Sequence, residues 1–281
     1  MKRDIKGIIV FVLKWWFLLT VVIFTLYPVV YTLLGSLRTH RELMLGGSFL
    51  PESWQFSNYY HAFTSANFAQ YTLNSVILAV SVTLLAVVTS SLAGYVLARR
   101  DIPGKKLILG MYLAFMFISL GSVTLLPLFN LFNSLGMTGN LSAIVLVMTG
   151  GQTVNVFLIM GFIRTVPKEI DEAATMDGCS PFQIYYKIIL PMIRPILAVV
   201  ILFSFRSAWN AYITPLVFSI GNSSLRTLTV GIVQLRYSAN AAAEWHIMLA
   251  GASIALIPIL VIYAFTHKQF IGGLSAGAVK G

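Results

Sequence analysis

Long apolar runs without charged side chains alternate with short polar segments along the whole chain. Four of these runs contain no Asp, Glu, Lys or Arg, and they cover residues 15–37, 62–98, 107–163 and 247–266. A fifth run, 195–225, is interrupted only by Arg206. Because a helix needs about 20 apolar residues to cross about 30 Å of hydrocarbon, these runs predict membrane-spanning helices.

The longest run, 107–163, is too long for one span. Its middle, residues 130–140, is rich in Asn, Gly and Ser, which favour a turn between two helices. The pattern therefore predicts an all-α integral membrane protein with six transmembrane helices in a single transmembrane domain, 1–281. The predicted spans are about 13–36, 72–98, 107–130, 141–163, 195–217 and 247–267.

The basic residues predict the orientation of these spans, because loops rich in Lys and Arg tend to stay in the cytoplasm. Fourteen of the nineteen basic residues lie in the N-terminal segment, in the loops after spans two and four, and in the C-terminal segment. The opposite loops hold only Arg38, Arg41, Arg226 and Arg236. Both termini are therefore expected in the cytoplasm, and the even number of spans agrees.

Composition narrows the possible classes of function. The chain is 58% hydrophobic and only 10% charged, with a mean hydropathy of +0.85, whereas soluble domains carry about 25% charged residues. The net charge of +10 is scattered between apolar spans, so it does not predict nucleic-acid binding. One cysteine and four dispersed histidines predict neither an internal disulfide nor a metal site.

We call residues 164–194, between predicted spans four and five, the corner segment, because their pattern predicts two short helices with a sharp turn. Pro167 and the acidic residues Glu169, Asp171 and Glu172 suit the first turn of a helix, where negative charge meets the positive end of the dipole. Gly178 suits the C-terminal position that requires a left-handed backbone.

The second helix of the corner segment is predicted to begin at once. Ser180 is a suitable cap, Pro181 fits the first helical position, and Gln183 completes a capping box. Four apolar or aromatic residues are expected on one face, and Pro191 and Pro195 are expected to end the helix before span five. The four are Phe182, Tyr185, Tyr186 and Ile189.

From its position between two spans alone, this segment would be interpreted as a connector that lies on the membrane surface. However, seven of its residues match a specific motif. They follow the pattern EAA-x3-G-x9-I-x-LP. The residues are Glu172, Ala173, Ala174, Gly178, Ile188, Leu190 and Pro191. In this loop the chain resembles the permease subunits of ABC importers. The resemblance implies a type I importer transmembrane domain whose corner segment is the cytoplasmic coupling loop, with these seven residues and Asp177 forming the site that couples to a separate ATPase.

Further short matches resemble the maltose-permease (MalG-like) branch of the binding-protein-dependent transport inner-membrane component family. They are Asn58-Tyr59, Asn74-Ser75, Ala93-Gly94-Tyr95 with Ala98-Arg99, Trp209-Asn210 and the glycine-rich residues 272–281. This likeness implies a multi-pass subunit of the bacterial inner membrane that imports sugars or oligosaccharides. The implied partners are two identical ATP-binding subunits, a second related permease, an extracytoplasmic solute-binding protein and membrane lipid.

No catalytic residue is predicted, and ATP with Mg²⁺ is expected on the partner ATPase alone. The glycine-rich tail lacks the Lys and Ser or Thr spacing of a phosphate-binding loop, since Ala278 follows Gly277. By resemblance, Gly277 and Lys280 in this tail contact the ATPases.

Polar residues within the spans are candidates for the translocation pathway. Arg206 should face protein or water, because a charge inside the bilayer is costly; it either binds substrate or pairs with backbone carbonyls or a neighbouring helix. Trp209 either stacks on a sugar ring or packs, and Asn210 suits a bond to another helix. Gln152 and Asn155 in span four either line the path or belong to a tightly packed helix pair.

Two other classes are weaker alternatives. An ion-coupled secondary transporter would need acidic residues inside the spans, and a membrane enzyme would need converging acids, bases or metal ligands; the predicted spans contain neither set. Among importers, the alternative substrate is a related solute such as glycerol phosphate or an acidic oligosaccharide.

Overall fold

A computed structural model describes residues 5–46, 49–65, 67–118, 121–235 and 244–278 of the chain. Throughout these ranges, the regular elements are helices. They are α1 Ile5–Gly35, α2 His40–Leu45, α3 Ser57–Ser65, α4 Phe68–Arg99, α5 Lys105–Phe117, a 3-10 turn Gly121–Thr124, α6 Leu125–Ser134, α7 Leu141–Thr149, α8 Thr153–Thr165, α9 Glu169–Met176, α10 Pro181–Gln183, a π-helix Ile184–Ile189, α11 Leu190–Met192, α12 Arg194–Trp209, α13 Ile213–Phe218, a 3-10 turn Ser223–Leu225, α14 Leu228–Gln234 and α15 Trp245–Ala278.

Three of the predicted spans are single long helices. Helices α1, α4 and α15 are each long and apolar enough to cross a membrane. Helix α15 continues through Ala278, so most of the segment that the sequence suggested as a tail extends the last helix. None of the most apolar stretch of α1 is buried within the chain, as expected for a helix whose surroundings are lipid or another subunit.

The other three predicted spans are interrupted rather than continuous. Predicted span four divides into α7 and α8, whose axes differ by 50°, at a Gly150-Gly151-Gln152 break. Predicted span three divides between α5 and α6. Counting each bent helix pair as one span gives up to six candidate spans, and counting only continuous helices gives three.

Proline explains the interruption of predicted span five, where α12 ends at Trp209 and α13 begins at Ile213. Pro215 has no backbone N–H, and its ring would collide with the carbonyl of Ala211 in a continuous helix. Pro215 is tolerated in the first turn of a new helix, where the missing donor costs nothing. The helix therefore stops and restarts just before it.

The described residues belong to two compact units. The first comprises Met1–Phe68 and Gly231–Leu256. In it, the side-chain amide of Asn58 donates to the carbonyls of Ser36 and Arg38, at 2.9 and 2.8 Å. The Tyr59 hydroxyl lies 2.8 Å from Ser36 Oγ. These bonds fasten α3 to the chain that leaves α1, which gives the predicted Asn58-Tyr59 pair a structural role.

The second unit comprises Ala69–Val230 and Ile257–Gly281 and contains the corner segment. Its buried core joins side chains from α4, α8, the corner segment and α12. The fully or nearly buried members are Tyr95, Ile159, Ile163, Val166, Ala174, Ile184, Tyr185, Ile189, Ile193 and Val200. The corner segment is therefore built into the core of this unit rather than lying loosely on its surface.

Candidate functional site: the corner segment

The first helix of the corner segment is α9, and it forms as the sequence predicts. Lys168 is its N-cap residue, and Glu169, Asp171 and Glu172 lie in its first turn. Three carboxylates near the positive end of the helix dipole stabilise this short helix.

A Schellman motif centred on Gly178 ends α9 and makes the turn. Gly178 has φ +80°; its N–H donates to the Thr175 carbonyl at 3.0 Å, and the Cys179 N–H donates to the Ala174 carbonyl at 2.9 Å. A Cβ atom added at Gly178 would meet none of the described atoms within 4 Å. The predicted left-handed glycine is confirmed, and the space beside it is open.

The second helix starts with the capping box that the sequence predicts. The Ser180 N–H donates to Gln183 Oε1 at 2.7 Å, the Gln183 N–H donates to Ser180 Oγ at 3.4 Å, and Pro181 occupies the first turn. Both halves of the box are present, so the two helices of the corner are capped on either side of a two-residue turn.

The four residues predicted to share one face of this helix differ in burial, although the Phe182 ring lies 6.1 Å from that of Tyr185 and 6.5 Å from that of Tyr186. Tyr185 and Ile189 are buried, at 7% and 0% exposure, whereas Phe182 and Tyr186 are 67% and 57% exposed. Residues Ile184–Ile189 form a π-helix, with a bond from the Leu190 N–H to the Tyr185 carbonyl. The wider turn changes the angular spacing of the side chains.

The same wide turn carries the helix past Pro191. Pro191 cannot donate a backbone bond, yet the helical run continues to Met192 and bends by 80° before Arg194–Trp209. The helix ends at Met192, between Pro191 and Pro195 and before α12 begins, as the sequence predicts.

The eight predicted coupling residues fall into two groups. Glu172, Ala173, Asp177 and Gly178 are exposed at the turn, next to Met176, which is 87% exposed. Ala174 is buried, Ile188 and Leu190 are partly buried against the core, and Pro191 is exposed on the second helix. The first group forms an accessible surface around the turn, whereas Ala174, Ile188 and Leu190 hold the turn in place.

Helix α4 contributes contacts to the corner segment that the sequence analysis did not identify. Arg99 Nη2 donates to the Val166 carbonyl at 2.9 Å, and Arg99 Nε lies 2.9 Å from Asp171 Oδ2. The approach to Asp171 is an ion pair by distance, but it does not have hydrogen-bond geometry. In the sequence, Arg99 is a basic residue at the end of a span and Asp171 is an acidic residue in a later loop. These positions alone do not predict that the two residues pair.

Two further contacts join α4 to the second helix of the corner. The Ser91 Oγ and Tyr185 hydroxyl oxygens are 2.7 Å apart in a buried bond. The Tyr95 hydroxyl donates to the Pro181 carbonyl at 3.4 Å, and the Tyr95 and Tyr185 rings lie 5.3 Å apart.

The predicted pathway residues do not converge on one site within this chain. Asn155 is buried, and its Nδ2 donates to Ser204 Oγ at 3.1 Å and to Gln152 Oε1. Trp209 is 2% exposed and stacks on Phe205 at 5.7 Å between ring centroids. Asn155, Gln152 and Trp209 therefore make helix-packing contacts in the isolated subunit.

Arg206 and Asn210 lie instead on an exposed face of α12, together with Ser207. The Arg206 side chain makes no hydrogen bond or ion pair with any residue that the structure describes, whereas its backbone carbonyl accepts from the Asn210 N–H at 3.1 Å. The predicted span 195–217 would place Arg206 at its centre, and this is wrong: because α12 stops at Trp209, Arg206 is in the last turn, where the helix dipole favours a cation.

One of the two C-terminal candidates lies at the end of α15. Gly277 is in its last turn, and Lys280 is outside the described residues. Among the described residues, no group of three or more His, Cys, Asp or Glu side chains is arranged to hold a metal ion.

Helices of membrane-spanning length and a capped helical corner define a helical membrane protein with an exposed turn. Residues 90–270 match the model of the family described as "Binding-protein-dependent transport system inner membrane component". This match covers more than half of the chain, so the protein belongs to that family. It is a permease subunit of an ABC importer in the inner membrane and is not itself an enzyme.

Individual relatives are similar in sequence to this protein along nearly the whole chain. It is 30% identical to the arabinooligosaccharides transport system permease protein AraQ of Bacillus subtilis, over 91% of each chain. It is also 30% identical to the trehalose transport system permease protein SugB of Mycobacterium tuberculosis, over 93% of this chain and 94% of the relative.

A solved structure shares the fold. One chain of a bacterial ABC transporter involved in the import of the acidic polysaccharide alginate superposes with a TM-score of 0.80. The alignment covers 96% of this chain and 99% of that chain, at 22% sequence identity. The type I ABC importer permease fold predicted from the motif is therefore confirmed, and family membership implies an ATPase and a solute-binding partner.

Proposed function

We propose that this subunit forms half of the channel of an ATP-driven importer for sugars or oligosaccharides. The exposed, rigidly capped turn around Gly178 carries the proposal, because it presents the residues of the EAA pattern on an open surface. Relatives named for arabino-oligosaccharide and trehalose transport support a carbohydrate substrate. The complex comprises this chain, a second related permease, two identical ATPases and an extracytoplasmic binding protein.

In this proposal the chain crosses the membrane six times with both termini in the cytoplasm. The ATPases hold ATP and Mg²⁺, and each closes on the corner segment of one permease. Glu172, Ala173, Asp177 and Gly178 form the contact surface, while Ala174, Ile188, Leu190 and Pro191 support it. Small residues at the turn allow close approach of the ATPase, and the two capped helices move as one body. Gly277 and Lys280 lie between the ATPases.

Site-directed cross-linking tests this docking surface. Met176→Cys in a Cys179→Ser background places one exposed thiol beside the turn, since Cys179 is the only native cysteine. A thiol-to-amine cross-linker should join it to the ATPase in membranes, and mass spectrometry of the product identifies the partner. Ile220→Cys, at a position that is 74% exposed on the predicted outer side, is the matched control. Cross-linking of the ATPase to position 220 and not to 176 would overturn the proposal.

An acidic oligosaccharide is a second candidate substrate, favoured by Arg206. This cation lies on an exposed face of α12 beside Ser207 and Asn210 and has no partner among the described residues. A guanidinium group binds carboxylates with two parallel hydrogen bonds. The solved neighbour belongs to a transporter of an acidic polysaccharide.

Substrate competition distinguishes the two candidates. In proteoliposomes containing the complete complex, Arg206→Ala should reduce uptake of an acidic oligosaccharide more than uptake of a neutral one. Ser207→Ala on the same face is the control and should affect both equally. If Arg206→Ala left the preference between acidic and neutral sugars unchanged, Arg206 would not contribute to selectivity.

A further inference from the structure

One face of α4 contacts both helices of the corner segment, although α4 is joined to neither along the chain. Ser91, Tyr95 and Arg99 are spaced four residues apart, which places them in one row along the helix. We call these three residues the α4 row. Ser91 and Tyr95 reach the second helix of the corner, and Arg99 reaches the first.

Arg99 makes the charged contact of the row. Its side chain is 5% exposed and that of Asp171 is 19% exposed, so solvent screens their attraction far less than at an open surface. The same guanidinium group holds the carbonyl of Val166, just before α9. Arg99 therefore fixes both the start of α9 and a carboxylate in its first turn.

The Ser91–Tyr185 and Tyr95–Pro181 contacts hold the other side of the turn. Tyr185 is buried between Tyr95 and the core, so the second helix cannot shift along α4 without breaking the Ser91 bond and repacking two aromatic rings. Because the helices on both sides of the Gly178 turn contact α4, a displacement of the turn also displaces α4. It displaces the helices that precede and follow the turn in sequence as well.

We infer that the α4 row carries the motion of the corner segment into the membrane, with Arg99 as the positioning residue that aligns α9 for the ATPase. This inference rests on the proposed function of the corner segment. Buried contacts of this kind also stabilise a fold, so the test must measure coupling separately from assembly. The quantity that separates them is the number of ATP molecules hydrolysed for each sugar transported.

The main variants are Arg99→Gln, Asp171→Asn and the double variant, in proteoliposomes containing the complete importer. Arg99→Gln should raise the ATP used per sugar by about fivefold or more, the lower end of typical coupling between sites. The sugar concentration at half-maximal uptake should not change, because the row contacts the corner segment and includes none of the predicted pathway residues. The double variant should be no worse than Arg99→Gln, since both changes break one interaction. Arg99→Lys keeps the charge and should restore part of the coupling.

Asp101→Asn is the matched control. Asp101 pairs with Lys105 at 3.4 Å, but its side chain is fully exposed, and such pairs contribute little. This variant should hydrolyse the same ATP per sugar as the parent. Equal ATP per sugar in Arg99→Gln and Asp101→Asn would overturn the inference.

Tyr185→Phe provides a milder test, since it removes one buried hydroxyl and keeps the ring. It should assemble normally and also raise the ATP used per sugar. If assembled complex and uptake fell together in all row variants with an unchanged ATP ratio, the row would be structural only, and the inference would fail. The Met176→Cys cross-link to the ATPase is measured in each variant. If the cross-link does not form even without a row substitution, the proposed function is refuted. If the cross-link forms but the row variants use the same ATP per sugar as the parent, only the inference about the α4 row is refuted.

Discussion

Replacement of Gly178 separates the effect of backbone strain from the effect of a partner protein. Gly178 has φ +80°, a conformation that costs an ordinary L residue about 1–2 kcal/mol. A Cβ there would meet none of the described atoms within 4 Å, so backbone strain is the main internal cost of adding one. That cost is a modest fraction of the roughly 5–15 kcal/mol by which folded domains are stable.

Three substitutions separate the strain energy at Gly178 from the effect of a bulky side chain on the ATPase contact. Gly178→Asn should be nearly neutral, because Asn tolerates the left-handed region, and Gly178→Ala should lose only the strain energy. Gly178→Trp carries a similar strain energy but extends a large ring into the open space beside the turn. We expect all three to insert and assemble, but only the Trp variant to lose sugar uptake while ATP hydrolysis continues, because its ring occupies the space where the ATPase docks.

Gly104 is a matched control for this series. It has φ +76° and also has no atom within 4 Å of an added Cβ, but it precedes α5, outside the corner segment. Gly104→Trp should therefore behave like Gly104→Ala. Uptake and ATP hydrolysis are measured in proteoliposomes with equal amounts of complex. Normal coupled uptake by Gly178→Trp, or equal loss in Gly178→Trp and Gly104→Trp, would refute the docking argument.

Three further predictions concern packing, hydrogen bonding and pH. Gly94→Ala should lower the thermal unfolding temperature of the detergent-solubilised subunit. The added Cβ would lie 2.8 Å from Ile159 Cγ2, and overpacking costs about 1–3 kcal/mol. An unchanged temperature would show that α4 and α8 separate freely. Asn74→Ala should increase protease cleavage within residues 222–228, because the Asn74 amide donates to two carbonyls there, at 2.6 and 2.9 Å; parental cleavage would contradict this clamp. The backbone N–H of Thr39 holds the pKa of Glu42 below its ordinary value, so its stabilisation of α2 should be complete above that ordinary value and lost as the pH falls through the lowered one. Hydrogen exchange in residues 39–45 should therefore accelerate on acidification, and this acid response should be absent in Glu42→Gln.

Local interactions explain why the corner segment could be predicted so closely. The Schellman motif at Gly178 and the capping box at Ser180 involve residues three to five apart. Their geometry depends on the residues themselves and not on the rest of the fold. The π-helix was missed because two requirements compete: Tyr185 packs into the core, and Pro191 cannot donate a backbone hydrogen bond. A sequence pattern with the ordinary helical period of about 3.6 residues does not predict the wider turn that results.

Hydropathy alone predicted neither the interruptions of the spans nor the exposure of their polar residues. An apolar run of 23 residues at 195–217 satisfied the length requirement for one span. Pro215 near its end allowed a break that hydropathy does not register. The break moved Arg206 from the expected centre of a helix to its last turn.

The sequence by itself determined the membrane class, the family and the two-helix corner, because apolar length, motif spacing and capping are properties of neighbouring residues. Only the tertiary structure decided which of the motif residues are accessible and that α4 is fastened to the corner through Arg99 and Ser91. Those contacts join residues far apart in the chain, such as Ser91 and Tyr185, which are separated by 94 positions. No local pattern specifies such a pairing, since it arises when several helices bury their side chains together.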